Sequence, residues 1–121
     1  MKILLIDDSN TMRKIQKRVL SEMSFDDFTE AKNGQEALDI LDANNYQFDL
    51  VLCDINMPIK NGIDTLKTIR SKTKDLKVVM CTSASDKPLV LEAIKLGISG
   101  YIVKPFQMEI FKESINSALA K

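Results

Sequence analysis

Histidine is absent from this chain, and that absence excludes much familiar chemistry. Without it there is no Ser-His-Asp or Cys-His nucleophile and no His-bearing zinc site. Cysteine is scarce: Cys53 and Cys81 stand alone, with no CxxC pair, and each closes an apolar run. They read as small core hydrophobes rather than redox groups. Neither sign of charge is in excess, since 17 basic residues face 17 acidic ones. No global field draws the protein to nucleic acid or to an anionic membrane. No apolar run approaches the ~18–20 residues that span a bilayer, and Met1-Lys2 leads into a strand rather than a signal peptide. A cytoplasmic protein without direct DNA binding or membrane insertion is expected. With 3 prolines and 4 glycines in 121 residues, nothing suggests a linker, repeat or low-complexity segment. One compact domain over 1–121 is expected, with no output domain.

What is present lies at the exits of short apolar runs. Ile3-Leu4-Leu5-Ile6 ends in Asp7-Asp8, and Leu50-Val51-Leu52-Cys53 ends in Asp54. Each run is short, lacks period-2 alternation and is rich in branched side chains, as in a strand buried on both faces of a parallel sheet. Parallel strands present their C-terminal ends along one edge, so the two exits can converge three carboxylates on a small volume. Carboxylates that close repel one another unless a cation joins them. An all-oxygen donor set of this kind suits a hard cation such as Mg²⁺ better than zinc or copper.

The remaining pattern alternates helices with strands. Ser9-Asn10-Thr11 offers helix N-caps, and Met12, Ile15, Val19 and Met23 then recur at helical spacing with Arg and Lys between them, as in an amphipathic helix. Phe28-Thr29-Glu30-Ala31 reads as a strand and Asn33-Gly34 as a turn. Ala37, Leu38 and Leu41 mark a second helix ending near Asn44-Asn45. After the strand leading to Asp54, Met57-Pro58 and Asn61-Gly62 punctuate a loop. Ile63, Leu66 and Ile69 then mark a third helix. Val78-Val79-Met80-Cys81 is the fourth strand, with Thr82-Ser83 at its exit. Asp86 to Pro88 opens a helix that Gly97 closes. Gly100-Tyr101-Ile102-Val103 delivers Lys104-Pro105, and a last helix covers Phe106 to Leu119. The alternation predicts an α/β fold: a parallel sheet with right-handed crossovers and helices on both faces. Ligands of such sheets bind beyond the C-terminal strand edge. Four of the five exits carry a reactive group there: Asp7-Asp8, Asp54, Thr82 and Lys104.

Three carboxylates, a hydroxyl and a lysine without any histidine make a poor hydrolase but a good site for a metal-bound phosphoryl group. Lys104 can neutralise phosphate oxygens, Thr82 can donate a hydrogen bond, and one Asp can act as a nucleophile. Alone, Asp7-Asp8 would read as a helix-capping pair, and Tyr101 as an aromatic packed at a strand edge. Met12, Met57, Met80 and Met108 read as packing filler.

Taken together, these residues closely resemble the receiver domain of two-component response regulators, in particular stand-alone chemotaxis receivers of the CheY type. The resemblance covers essentially the whole chain. It rests on Asp7-Asp8, on Asp54-Ile55-Asn56-Met57-Pro58 followed by Gly62, on Thr82, and on Gly100-Tyr101-Ile102-Val103-Lys104-Pro105-Phe106. It implies a flavodoxin-like five-stranded sheet in the order 2-1-3-4-5, which the element pattern alone does not dictate. It further implies that Asp54 accepts a phosphoryl group from a phosphohistidine on a partner histidine kinase. Asp8 and Asp54 would ligate Mg²⁺ directly, Asp7 through water, and Asn56 by its backbone carbonyl. Lys104 would pair with phosphoryl oxygens and Thr82 would swing to hydrogen-bond them. Tyr101 would move inward behind Thr82, coupling the site to the face of the fourth helix, fifth strand and fifth helix. Lys104-Pro105 would be a cis peptide.

Ser83 departs from the Ala or Gly frequent in that family and is expected to be tolerated. Asn56 and Ala84 occupy positions that tune phosphoryl lifetime there. The expected protein is a monomeric binding switch, not an enzyme beyond its own phosphoryl uptake and autodephosphorylation. Its targets would be a flagellar motor switch or a phosphatase, with Val90 and Ser114 among the exposed residues of the partner surface. The alternative is a phosphorelay intermediate that passes its phosphoryl group to a histidine phosphotransferase. Two other classes fit less well. An aspartyl-nucleophile phosphatase wants a second acid two residues after the nucleophile, where Asn56 stands. An FMN carrier wants a hydroxyl-rich phosphate loop where Asp7-Asp8 would repel phosphate.

Overall fold

Period-2 geometry explains how the short apolar runs fill two cores at once. In the computed structural model, which describes residues 1–83 and 87–121, Ile3 and Leu5 face one helical layer while Leu4 and Ile6 face the other. The same split divides Leu50 and Leu52 from Val51 and Cys53, and Val79 and Cys81 from Val78 and Met80. A strand covered on both faces needs apolar residues at every position, so alternation is lost.

The strands are β1 (Lys2–Ile6), β2 (Asp27–Ala31), β3 (Leu50–Asp54), β4 (Val78–Ser83) and β5 (Gly100–Lys104). All neighbours pair in parallel, in the order β2-β1-β3-β4-β5. The helices are α1 (Asn10–Glu22), α2 (Gly34–Ala43), α3 (Gly62–Lys72), α4 (Lys87–Leu96) and α5 (Met108–Leu119). Helices α1 and α5 cover the face of Ile3 and Leu5, and α2, α3 and α4 cover the other. The expected Asp86 start of α4, and Ala84, lie outside the described residues. No helix among the described residues is long and apolar enough to cross a membrane.

Three local features go beyond the sequence pattern. Asn33-Gly34 is not a free turn: Asn33 Oδ1 accepts from Glu36 N at 2.9 Å and caps α2. Gly34 is required by proximity, because a Cβ there would collide with Thr65 Oγ1 and the Lys60 carbonyl. Asn61 likewise caps α3, through Asp64 N at 2.9 Å. Finally, the buried side of α1 is Arg13, Gln16, Val19 and Leu20, whereas Ile15 is 40% exposed. Val19 is buried and Met12 and Met23 are half-buried, so the apolar row borders the inward face, whose centre is held by two polar residues that an apolar pattern does not mark. Gly97 does end α4, in the left-handed region at φ +104°.

Candidate functional site

The register of the sheet assembles the site. Ile6 pairs with Cys53, so the next residues, Asp7 and Asp54, leave adjacent strands side by side. Ser83 pairs with Lys104, which brings the lysine to the same edge from β5. Side chains alternate across a strand. Asp7 follows the parity of Ile3 and Leu5, Asp54 that of Leu50 and Leu52, and Lys104 that of Ile102. All three therefore face the α1/α5 side. Thr82 has the parity of Val78 and Met80 and faces the opposite side.

Carboxylate oxygens of Asp7, Asp8 and Asp54 lie within 4.8 Å of one another. Asp7 is 1% exposed and Asp54 8%, while Asp8 is exposed. Lys104 Nζ sits 2.9 Å from Asp7 Oδ2 and 3.4 Å from Asp54 Oδ1. The other Asp7 oxygen, Oδ1, accepts from Ser9 N at 2.9 Å. Burial pushes the Asp54 carboxyl up to about 6; Lys104 opposes this and Asp7 adds to it. Burial alone would depress Lys104, but the Asp7 hydrogen bond and the charges of Asp54 and Asp7 outweigh it and hold the ammonium above its usual range. Three carboxylates against one ammonium leave a local charge near −2, and every donor is a hard oxygen. Such a set fits a divalent Mg²⁺ ion.

The other expected residues lie on the neighbouring strand ends and loops. Asn56 lies exposed on the loop beyond Asp54. Gly62 N donates to the Ile55 carbonyl at 2.8 Å, and a Cβ at Gly62 would collide with the Asp54 carbonyl oxygen. This glycine lets α3 begin directly against the strand that carries Asp54. Lys104-Pro105 is cis. Thr82 is 1% exposed, and its Oγ1 donates to the Ser83 carbonyl at 3.2 Å. Tyr101 is 48% exposed and points outward. Between them runs a groove of about 320 Å³, lined by Thr82, Val90, Leu91, Ile94 and Tyr101 among others. Of the α4 and α5 residues expected at the surface, Val90 packs partly against the core and Ser114 is half-buried; the exposed large apolar ones among the described residues are Leu91, Ile94, Met108 and Ile110.

Both cysteines are fully buried and free. Burial pushes the Cys81 thiol up to about 12, against the opposing charge of Lys104, and raises Cys53 as well. Neither is a thiolate at neutral pH.

Sequence reasoning missed Arg13. It is 6% exposed, and its guanidinium bonds the Asp7 carbonyl, Glu30 and Asn10. Its signal was Leu20: residues 13, 16 and 20 share one helical row, and Leu20 is the apolar member that turns that row inward.

With this geometry in hand, the chain belongs to the response regulator receiver domain family, which it matches over residues 3–116. Its relatives include chemotaxis proteins. It is 41% identical to chemotaxis protein CheY1 of Helicobacter pylori, covering 98% of this chain and 97% of that one. It is also 41% identical to chemotaxis protein CheY of Pseudomonas aeruginosa, over 95% and 93% of the two chains. Among solved structures, a receiver domain protein from Clostridium thermocellum superposes with a TM-score of 0.87 at 31% identity, covering 98% and 94% of the two chains. Vibrio cholerae chemotaxis protein CheY4 superposes at 0.83 and 28% identity, covering 97% of each.

Proposed function

We propose that the protein is a phosphorylation-controlled binding switch of chemotaxis, modified on Asp54 by a partner histidine kinase in the presence of Mg²⁺. The observation that carries this reading is the convergence of the Asp7, Asp8 and Asp54 carboxylate oxygens within 4.8 Å, beside a lysine that bridges two of them. Asp8 and Asp54 would ligate the ion directly and Asn56 through its backbone carbonyl. Asp7, whose two oxygens already accept from Ser9 N and Lys104, would reach it through water. When bound, the ion cancels carboxylate repulsion and stabilises charge developing on the phosphoryl oxygens.

The chain's own residues do the rest. An Asp54 oxygen, ionised above pH 6, attacks the phosphorus of a phosphohistidine. The P–N bond breaks and the imidazole nitrogen leaves with the electron pair. Lys104, already at 3.4 Å from Asp54, offsets the new charge. Phosphorylation adds about −1.5 to −2 charge. That charge draws the Thr82 hydroxyl away from the Ser83 carbonyl and toward the phosphoryl oxygens. The groove behind it admits the Tyr101 ring, and the surface of α4, β5 and α5 changes shape for its target protein. The protein catalyses only its own phosphoryl gain and loss, and it acts as a cytoplasmic monomer.

The test is labelling from a phosphoramidate donor in Mg²⁺. Wild type takes up one phosphoryl group and Asp54→Asn none; a variant that still labels at the normal rate sinks the assignment. Capture partners of the phosphorylated protein then separate two outcomes. Motor-switch components support chemotaxis, whereas a histidine phosphotransferase makes the protein a relay intermediate.

A further inference from the structure

The Asp7-Asp8 pair is held from behind by a buried guanidinium. Arg13, in the first turn of α1, directs Nε to Glu30 Oε1 at 2.9 Å, Nη1 to the Asp7 carbonyl oxygen at 2.5 Å and Nη2 to Asn10 Oδ1 at 3.3 Å. Arginine is almost never buried unless paired, and here each of its three nitrogens has a partner. Glu30 is held in turn by Lys17 Nζ at 2.9 Å. The Lys17 hydrogen bond, assisted by Arg13 against the opposing effect of burial, keeps the Glu30 carboxyl below its usual range. On the strand side, Asp7 N donates to the Ala31 carbonyl at 3.1 Å.

The consequence follows from peptide planarity. The Asp7 carbonyl oxygen lies in one rigid plane with the nitrogen and Cα of Asp8. A guanidinium fixing that oxygen fixes the direction in which Asp8 leaves the chain. Asp8 is the exposed member of the cluster and starts a connection rather than ending a strand. The orientation of its carboxylate therefore depends on that plane.

We propose that Arg13, braced by Glu30, is a positioning residue that sets the affinity of the carboxylate cluster for its divalent cation. This rests on the reading of the cluster as a Mg²⁺ site. Two effects of Arg13 have opposite signs, which makes the idea testable. As a bare charge behind the cluster, Arg13 repels a cation, so its removal would tighten binding. As a brace for the Asp7-Asp8 peptide, its removal weakens binding. Glu30, shared with Lys17, offsets part of the guanidinium charge at 2.9 Å, while the guanidinium bonds the Asp7 carbonyl directly, so the geometric effect dominates.

The experiment is calorimetric titration of MgCl₂ into the intact protein and three variants, with metal-free melting curves measured alongside. Arg13→Ala should bind Mg²⁺ about tenfold more weakly, at the lower end of what loss of a supporting partner does to metal sites. Arg13→Lys retains the charge but loses the planar fork that spans Glu30 and the Asp7 carbonyl. It should also bind more weakly, though less so. Lys17→Ala removes the outer ion pair without touching Asp7 and should match wild type. Arg13→Ala binding as tightly as wild type, or more tightly, overturns the proposal, whatever its melting temperature does. Arg13→Lys matching wild type while Arg13→Ala differs also overturns it, since charge alone would then suffice. If wild type itself takes up no Mg²⁺, the functional reading fails, and this one with it.

Discussion

Lys104 Nζ lies 2.9 Å from the buried Asp7 carboxylate and 3.4 Å from Asp54, so one ammonium serves two acids before any ion arrives. Asp7 is 1% exposed and cannot recruit water in place of a lost partner. Removing one partner of a buried pair leaves an uncompensated charge. Lys104→Met should therefore destabilise the metal-free protein by about 3 kcal/mol at pH 7.5, read from urea unfolding in chelator. Millimolar Mg²⁺ should return part of that loss, because a divalent ion stabilises the folded cluster alone. Equal destabilisation with and without Mg²⁺ would mean the ion does not share the lysine's electrostatic role.

The Asp54 carboxyl makes stability depend on pH in a predictable direction. Its ordinary value is 3.8 and in the folded protein it is about 6, so the native state holds the proton more tightly than the unfolded chain. Stability contributed by this group is complete below about pH 4 and is lost as pH rises through 6. The loss is on the order of 2 kcal/mol. Asp54→Asn carries no such term. In chelator, the variant should melt roughly 5–10 °C above wild type at pH 7, and the two curves should converge near pH 4. A constant difference across that range would remove Asp54 as the titrating group. Saturating Mg²⁺ should narrow the difference at pH 7.

Both acids were readable before the fold, and the reason is physical. A strand buried on both faces must be apolar at every position, so its end is sharply marked, and whatever polar residue follows belongs to the sheet edge. That logic puts Asp7, Asp54, Thr82 and Lys104 at one sheet edge, where the register sets Asp7 beside Asp54 and brings the ends of β4 and β5 alongside. Their division between two faces follows from strand parity. The inner face of α1 was less legible. Its inward row holds Arg13 and Gln16, whose burial depends on partners from β2 and β4, remote in sequence. The need for glycine at 34 is likewise set by residues remote in sequence. An Asn-Gly pair normally signals a turn, but here the glycine makes room for Lys60 and Thr65 on another element. The outward pose of Tyr101 has no local signature, because it depends on how α4 and β5 leave space between them.

Gly62 links packing to the site. A methyl group there would strike the Asp54 carbonyl oxygen and crowd Ile55 Cα at 2.8 Å, both backbone atoms of the segment that carries the acceptor. Gly62→Ala should destabilise by about 2–3 kcal/mol, in the range of overpacking, and should slow phosphoryl uptake as Asp54 shifts. Gly100→Ala is the control, since a Cβ there meets nothing within 4 Å. It should leave both readouts near wild type. Equal effects of the two substitutions would show that strand or helix propensity, rather than this close approach, sets the cost.

Ile59 stands on the loop between Asp54 and α3 with φ +68°, and its side chain is 84% exposed. A β-branched residue in the left-handed region is strained by roughly 1–2 kcal/mol, and its exposure means little packing offsets the strain. Asparagine tolerates this conformation without glycine's added freedom in the unfolded chain. Ile59→Asn should raise stability by about 1 kcal/mol in denaturant titrations. A loss of stability would show that the isoleucine packs against something that holds the loop.

Gln16 presents the opposite case, a polar group where the fold asks for none. It is 1% exposed; its amide nitrogen reaches only the Cys81 sulfur, at 3.8 Å, and its Oε1 has no hydrogen-bond partner among the described residues. A thiol is a weak acceptor, and a buried carbonyl oxygen without a donor costs on the order of 1–3 kcal/mol. Val19, Leu20 and Cys81 belong to the apolar cluster beneath α1, so an unbranched apolar chain of similar length suits the position. Gln16→Met should stabilise the protein by about 1 kcal/mol without altering phosphoryl uptake, because Gln16 reaches none of the acceptor residues. Gln16→Ala separates polarity from volume. It removes the same unsatisfied oxygen but leaves a cavity, and should fall below Gln16→Met by about 2 kcal/mol. Urea midpoints of the three proteins test this order; a destabilised Gln16→Met would mean that the glutamine oxygen has a partner, such as a bound water, that makes it a net contributor to the core.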